Sequence, residues 1–85
     1  MIKKYRKQIE VQAIQWTGDT IEAKSFLGNN FIGCATDGES IAISGRYGDD
    51  IVRCGDYIVK DDRGRYTVCS QEVFEQTYFE EEQND

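Results

Sequence analysis

Apolar and polar residues alternate along most of this chain, with the two-residue period of half-buried strands. In KQIEVQAIQW (7–16), Ile9, Val11 and Ala13 fall on one side and Glu10 and Gln12 on the other. Ile14 and Trp16 then shift the phase, so the expected strand either bulges near Ala13 or is covered on both faces towards its end. FIGCAT (31–36), IAISG (41–45), IVRC (51–54), GDYIVKD (55–61) and RYTVC (65–69) read as five further strands. Asp37-Gly38 is the strongest hairpin signal between them. Gly55-Asp56 marks a turn or sharp bend, and Arg63-Gly64 centres another hairpin. RYGDD (46–50) reads as a polar loop.

Two segments break the alternation. TGDTIEAKSFLGNN (17–30) carries Asp19 as N-cap, Glu22 three positions later, and Ala23, Phe26 and Leu27 on one helical face. Gly28 suits the position just past a helix end, and Ile21 lies off the apolar face. Near the C-terminus, Ser70 caps a helical turn over QEVFEQT (71–77). The expected fold is therefore α+β: a small, mainly antiparallel sheet of four to six strands, one helix after the first strand and a short C-terminal helical turn. Residues 1–79 form one domain, and 80–85 an acidic tail.

Composition narrows the class. A chain of 85 residues buries only about 60–65% of its unfolded surface, so the core is thin. A hydrophobic fraction of 39% with 12% aromatics is nevertheless enough to exclude disorder over most of the length. No stretch approaches the ~20 apolar residues of a membrane span, and no apolar run follows the basic start, so neither membrane nor secretory signal is expected. The net charge is −6, with Lys3, Lys4, Arg6 and Lys7 at one end and Glu80, Glu81, Glu82 and Asp85 at the other. That balance repels nucleic acid at long range.

Metal and redox chemistry find little support. Three cysteines (Cys34, Cys54 and Cys69) stand without histidine and without a C-x-x-C pair, so no zinc site is expected. Each adjoins strand-like residues, and buried or half-buried free thiols in a reducing compartment are expected. Cys69, beside Ser70 at a helix start, is the one thiol placed for a lowered pKa, though packing is its expected role. The carboxylates sit in turns and in the tail rather than as a convergent pair. The chain is read as a non-enzyme without a cofactor.

YRKQIEVQAIQWTGDT, EAKSFLG and CGDYIVKDDRGRYTVCSQEVFEQTYF together resemble a family of small phage and prophage proteins, most without an assigned activity. The shared marks are Tyr5, Arg6, Trp16, Thr17, Gly18, Phe26, Leu27, Gly55, Asp56, Ile58, Lys60, Tyr66, Cys69, Phe74, Glu75, Thr77 and Tyr78, over about two-thirds of the chain. Cys54 stands where the family pattern has proline before Gly-Asp, Gln8 where a proline often ends the basic start, and Ser70-Gln71-Glu72 where it has a Pro-Asp helix start. The resemblance implies phage origin and a life in the host cytoplasm.

The expected function is that of a binding module that inhibits a host protein, such as a defence or takeover target. Its candidate contacts are Arg46 and Tyr47 in the 46–50 loop, Arg53, and Arg63 and Arg65 at the later hairpin tip, because Arg and Tyr are common interface anchors. The alternative is a sponge for a nucleotide-derived signal, with the same arginines gripping phosphate and Tyr47, Tyr57 and Tyr66 stacking on a base, especially between two subunits of a homo-oligomer. No phosphate loop for nucleotide turnover is present.

Overall fold

A computed structural model describes residues 11–78. Its element order is β1 (Gln12–Gln15), α1 (Thr20–Leu27), a 3-10 turn (Gly28–Asn30), β2 (Phe31–Cys34), β3 (Ile41–Gly45), β4 (Gly48–Val52), β5 (Tyr57–Lys60), β6 (Tyr66–Cys69) and α2 (Gln71–Thr77). The α+β class and the antiparallel pairing are as expected. The six strands divide, however, into two sheets of three, ordered β1-β5-β6 and β2-β3-β4, rather than forming one sheet.

Local chemistry sets both helices. The Asp19 carboxylate accepts the Glu22 N–H at 3.0 Å, and Gly28 ends α1. Ser70 Oγ accepts the Val73 N–H at 3.3 Å and starts α2, so the expected span 71–77 holds. Ala23 and Leu27 are buried and Phe26 packs against the same core, while Ile21 is 84% exposed.

The first strand needs no bulge. Gln12, Ala13, Ile14 and Gln15 pair with Lys60, Val59, Ile58 and Tyr57 in unbroken register. Ala13, Ile14 and Gln15 are all half-buried, which fits cover on both faces. Residues 7–10 of the expected strand lie outside the described residues. The bulge falls instead in β2, where the register shifts between Phe31 and Gly33 and leaves Ile32 exposed.

The polar loop expected at 46–50 is also revised. Residues 48–50 belong to β4, and Gly45 pairs with Gly48 across a two-residue turn made by Arg46 and Tyr47. Neither turn residue has positive φ, and Gly48 takes φ +111°. This is the pattern of a type I turn closed by a left-handed glycine. The 51–54 strand correspondingly stops at Val52.

The core lies where the two sheets and α1 meet. Trp16, Ala23, Leu27, Ile41, Ile43, Val52, Ile58 and Tyr66 fill it, with Ile14, Phe26, Phe31 and Val68 packed around them. Each large aliphatic side chain so buried contributes about 1.5–3 kcal/mol before entropy is subtracted. Trp16 is buried, as its place after an apolar strand suggests, and its indole N–H donates to the Glu39 carbonyl at 2.8 Å. The Tyr66 hydroxyl donates to the Phe26 carbonyl at 2.7 Å, and its ring meets Phe26 edge-on. On the far side of the first sheet, Phe74 of α2 stacks on Tyr57 at 3.8 Å between ring centres.

Candidate functional site

Two hairpin tips come together at one end of the molecule. In the β5–β6 hairpin, Lys60 pairs with Tyr66, and the Asp61 N–H donates to the Arg65 carbonyl at 2.9 Å. Asp61 then organises the loop. Its carboxylate accepts the Arg63 and Arg65 backbone N–H groups, each at 2.9 Å, and the Arg65 Nε–H at 3.1 Å. The Arg65 N–H is the main cause holding the Asp61 carboxyl below its ordinary value, with the Arg63 N–H and the Arg65 charge adding to it against a smaller effect of burial.

The β3–β4 tip joins this loop through one hydrogen bond. The Arg46 N–H donates to the Tyr66 carbonyl at 2.7 Å. Beside that contact, Tyr47 is 85% exposed, and the Arg46 guanidinium lies over its ring at 5.3 Å. Arg63 is exposed on the neighbouring loop. The chain between Arg63 and Tyr66 spans at most roughly 11 Å when fully extended. Arg46, Tyr47 and Arg63 therefore share one end of the molecule, although about sixteen residues of sequence separate Tyr47 from Arg63.

The other candidates lie elsewhere or are already engaged. Arg65 is half-buried and ion-paired to Asp61 at 3.1 Å. Arg53 stands just past the opposite end of β4, in a turn where its N–H donates to the Asp56 carboxylate at 3.1 Å. Tyr66 is buried in the core, and Tyr57 is covered by Phe74. The arginine–tyrosine set proposed for a nucleotide pocket is thus not gathered into one place within a single chain.

The thiols differ from expectation. Cys34 and Cys54 are exposed rather than packed, and only Cys69 is half-buried. Cys34 takes an exposed position in the alternation of β2, and Cys54 occupies a turn. Burial, aided by the Asp56 charge, pushes the Cys69 thiol up rather than down. The lowered thiol pKa expected beside the helix start at Ser70 is therefore not found.

The most strongly lowered carboxyl among the described residues is that of Asp37, held at about 2 against an ordinary 3.8. The Ser40 hydroxyl contributes most, followed by the Ser40 and Glu39 N–H groups. Its oxygens accept all three at 2.6–2.8 Å. This is a tied-down turn, not a poised acid. Among the described residues, no cluster of cysteine and carboxylate side chains is placed to hold a metal ion. No helix among them is long and apolar enough to cross a membrane.

What the sequence could not reveal is the meeting of the two tips. It depends on how the sheets pack, and the residues involved look like ordinary solvated loops. No family model matches the chain, and neither a curated protein nor a solved structure matches it.

Proposed function

We propose that this protein is a non-enzymatic binding module of phage type that inhibits a host protein in the host cytoplasm. The observation that carries this reading is the pairing of the hairpin tips. It sets a solvent-facing tyrosine and two arginines at one end of the molecule. Large, stiff Tyr and Arg side chains supply contact area and directed donors at interface centres. The raised Cys69 thiol weighs against a covalent mechanism in which this residue attacks.

The test is an affinity pull-down from host lysate with mass spectrometry of retained proteins and of heat-released small molecules. One dominant host protein, lost on Tyr47→Ala but retained on Arg53→Ala, would support the reading. Retention unchanged by both substitutions would remove the tips from the interface. A released nucleotide without a protein partner would replace the inhibitor reading with the sponge.

A further inference from the structure

We infer that the free edge of β1 is a surface for a second copy of this chain. The two first strands pair antiparallel about a two-fold axis at Ile14 and join their β1-β5-β6 sheets into one continuous sheet. The contact is independent of the reading of the hairpin tips, because β5 separates β1 from the β6 seam.

Backbone direction leaves this edge open. The Trp16 N–H donates to the Asp56 carbonyl and the Trp16 carbonyl accepts the Gly55 N–H, both at 2.8 Å, so both groups point to the β5 side. In an antiparallel ladder that direction alternates from residue to residue. Gln12 and Ile14 therefore turn their backbone groups to β5, and Ala13 and Gln15 turn theirs away. No strand neighbours β1 on that side, and among the described residues no hydrogen bond takes up the outward groups. Cover on both faces half-buries the side chains of Ala13 and Gln15 without closing the edge between the faces.

The other outer strands are each blunted. β4 carries Asp49 and Asp50, and the Asp50 carboxylate occupies the Ile51 N–H. β2 is interrupted by its bulge. β6 is held to the second sheet where the Arg46 N–H reaches the Tyr66 carbonyl. β1 has none of these devices. Its register with β5 is unbroken, and no charged residue or proline stands from Val11 to Gly18.

That neutrality selects a second copy as the occupant. At a net charge of −6 two copies repel, so their contact is favoured where it carries no charge of its own. Outward-facing residues must oppose outward-facing residues, and pairing about Ile14 meets this condition. Ala13 then exchanges hydrogen bonds with the partner's Gln15, and Gln15 with the partner's Ala13. Ile14 faces the partner's Ile14 and Gln12 the partner's Trp16, so apolar or neutral side chains meet throughout. One self-complementary patch is all that such a two-fold contact requires.

Sedimentation velocity and amide hydrogen exchange of the full chain, followed by NMR at several protein concentrations, test this. The dimer fraction should rise with concentration, and the Ala13 and Gln15 amides should gain protection in step with it, while those of β4 do not. Ala13→Pro removes an outward donor and leaves the β1–β5 ladder in place. With the circular dichroism spectrum unchanged, it should raise the dimer dissociation constant about tenfold or more, because the bond is lost on both sides of the axis.

A chain that stays monomeric at its highest soluble concentration would overturn the inference. So would a dimer that Ala13→Pro leaves as tight as before, which would place the contact on another face. Protection of Ala13 and Gln15 that does not vary with concentration would mean that the edge is closed within one chain, and would overturn it too. Should Ala13→Pro fail to fold, the exchange measurement on the unaltered chain still decides. None of these outcomes bears on the inhibitor reading, which the pull-down tests separately.

Discussion

Trp16 binds three segments at once. Its backbone N–H donates to the Asp56 carbonyl and its carbonyl accepts the Gly55 N–H, both at 2.8 Å, while its indole reaches Glu39. Trp16→Ala should cost about 3–5 kcal/mol, a large share of the roughly 5–15 kcal/mol that a domain usually has. Urea denaturation followed by circular dichroism would read that loss, and a variant of near-wild-type midpoint would show that the ring is not central to packing. Tyr66→Phe is milder. It strands the Phe26 carbonyl and should cost about 0.5–1.5 kcal/mol, seen as a lower denaturation midpoint with an unchanged slope. Asp37 gives a pH dependence. Its folded pKa lies near 2, below its ordinary 3.8, so the stabilisation is present above the unfolded value and is lost as pH falls through about 4 towards 2. Asp61, also lowered, acts in the same direction. Asp37→Ala should flatten the fall in thermal midpoint between pH 5 and 2, and a parallel fall in both proteins would remove Asp37 as a cause.

At the scale of elements, most of the fold was legible, because the deciding signals are local. Asp19 and Ser70 announce their helices through side-chain oxygens that the backbone needs, and both cap as expected. The β5–β6 hairpin pairs Tyr57 with Cys69 and Lys60 with Tyr66, around the turn that Gly64 marks. The hairpin at Arg46-Tyr47 carries no such mark, because its glycine, Gly48, comes after the turn pair rather than within it and the usual two-residue signature is absent. The division into two sheets was illegible for another reason: alternation tells which residues face a core but not which strands are neighbours.

The turn from Arg53 to Asp56 offers an element-scale prediction. The Asp56 N–H donates to the Arg53 carbonyl at 2.9 Å, Gly55 has φ +96° and Cys54 has no positive φ, which defines a type II turn with Cys54 at its second position. Proline is favoured there, so Cys54→Pro should stabilise by about 0.4–1 kcal/mol, a rise of a few degrees in Tm. A drop in Tm would mean that the turn needs the Cys54 N–H. The outer strand β4 offers another. Its Ile51 N–H is occupied by the Asp50 carboxylate, and Asp49 and Asp50 put two charges on a strand that borders its sheet. Such charges discourage strand-to-strand association. Asp50→Ala should promote self-association at high protein concentration, measurable by sedimentation velocity; an unchanged sedimentation coefficient would show that the edge is guarded by something else.

For the whole molecule, the informative fact is that the two sheets are tied at both ends, by the Trp16 indole on the Glu39 carbonyl and by a backbone bond between the hairpin tips. Beyond the shared core, the Arg46–Tyr66 hydrogen bond fastens the end of β3 to the start of β6. Gly45 lies tight against that seam: a Cβ there would sit 3.2 Å from both the Gly48 and Tyr66 carbonyl oxygens. Gly45→Val should therefore push the tips apart and weaken any binding that needs Arg46 and Arg63 together, while Arg53, at the other end, keeps its surroundings. The candidate site was only half legible from sequence for the same reason. Arg46, Tyr47 and Arg63 stand out by residue type, but their shared location depends on this seam, which no stretch of sequence contains.

The lone tryptophan makes this architecture observable without any label. Its indole is 5% exposed and tied to the carbonyl of a loop twenty-three positions away. Light emitted by the protein on tryptophan excitation thus comes from the junction of the first strand, the 35–40 turn and the Gly55 turn. A shift of that emission to longer wavelength marks the parting of these three segments, so stopped-flow fluorescence of the unmodified chain times the assembly of the core itself.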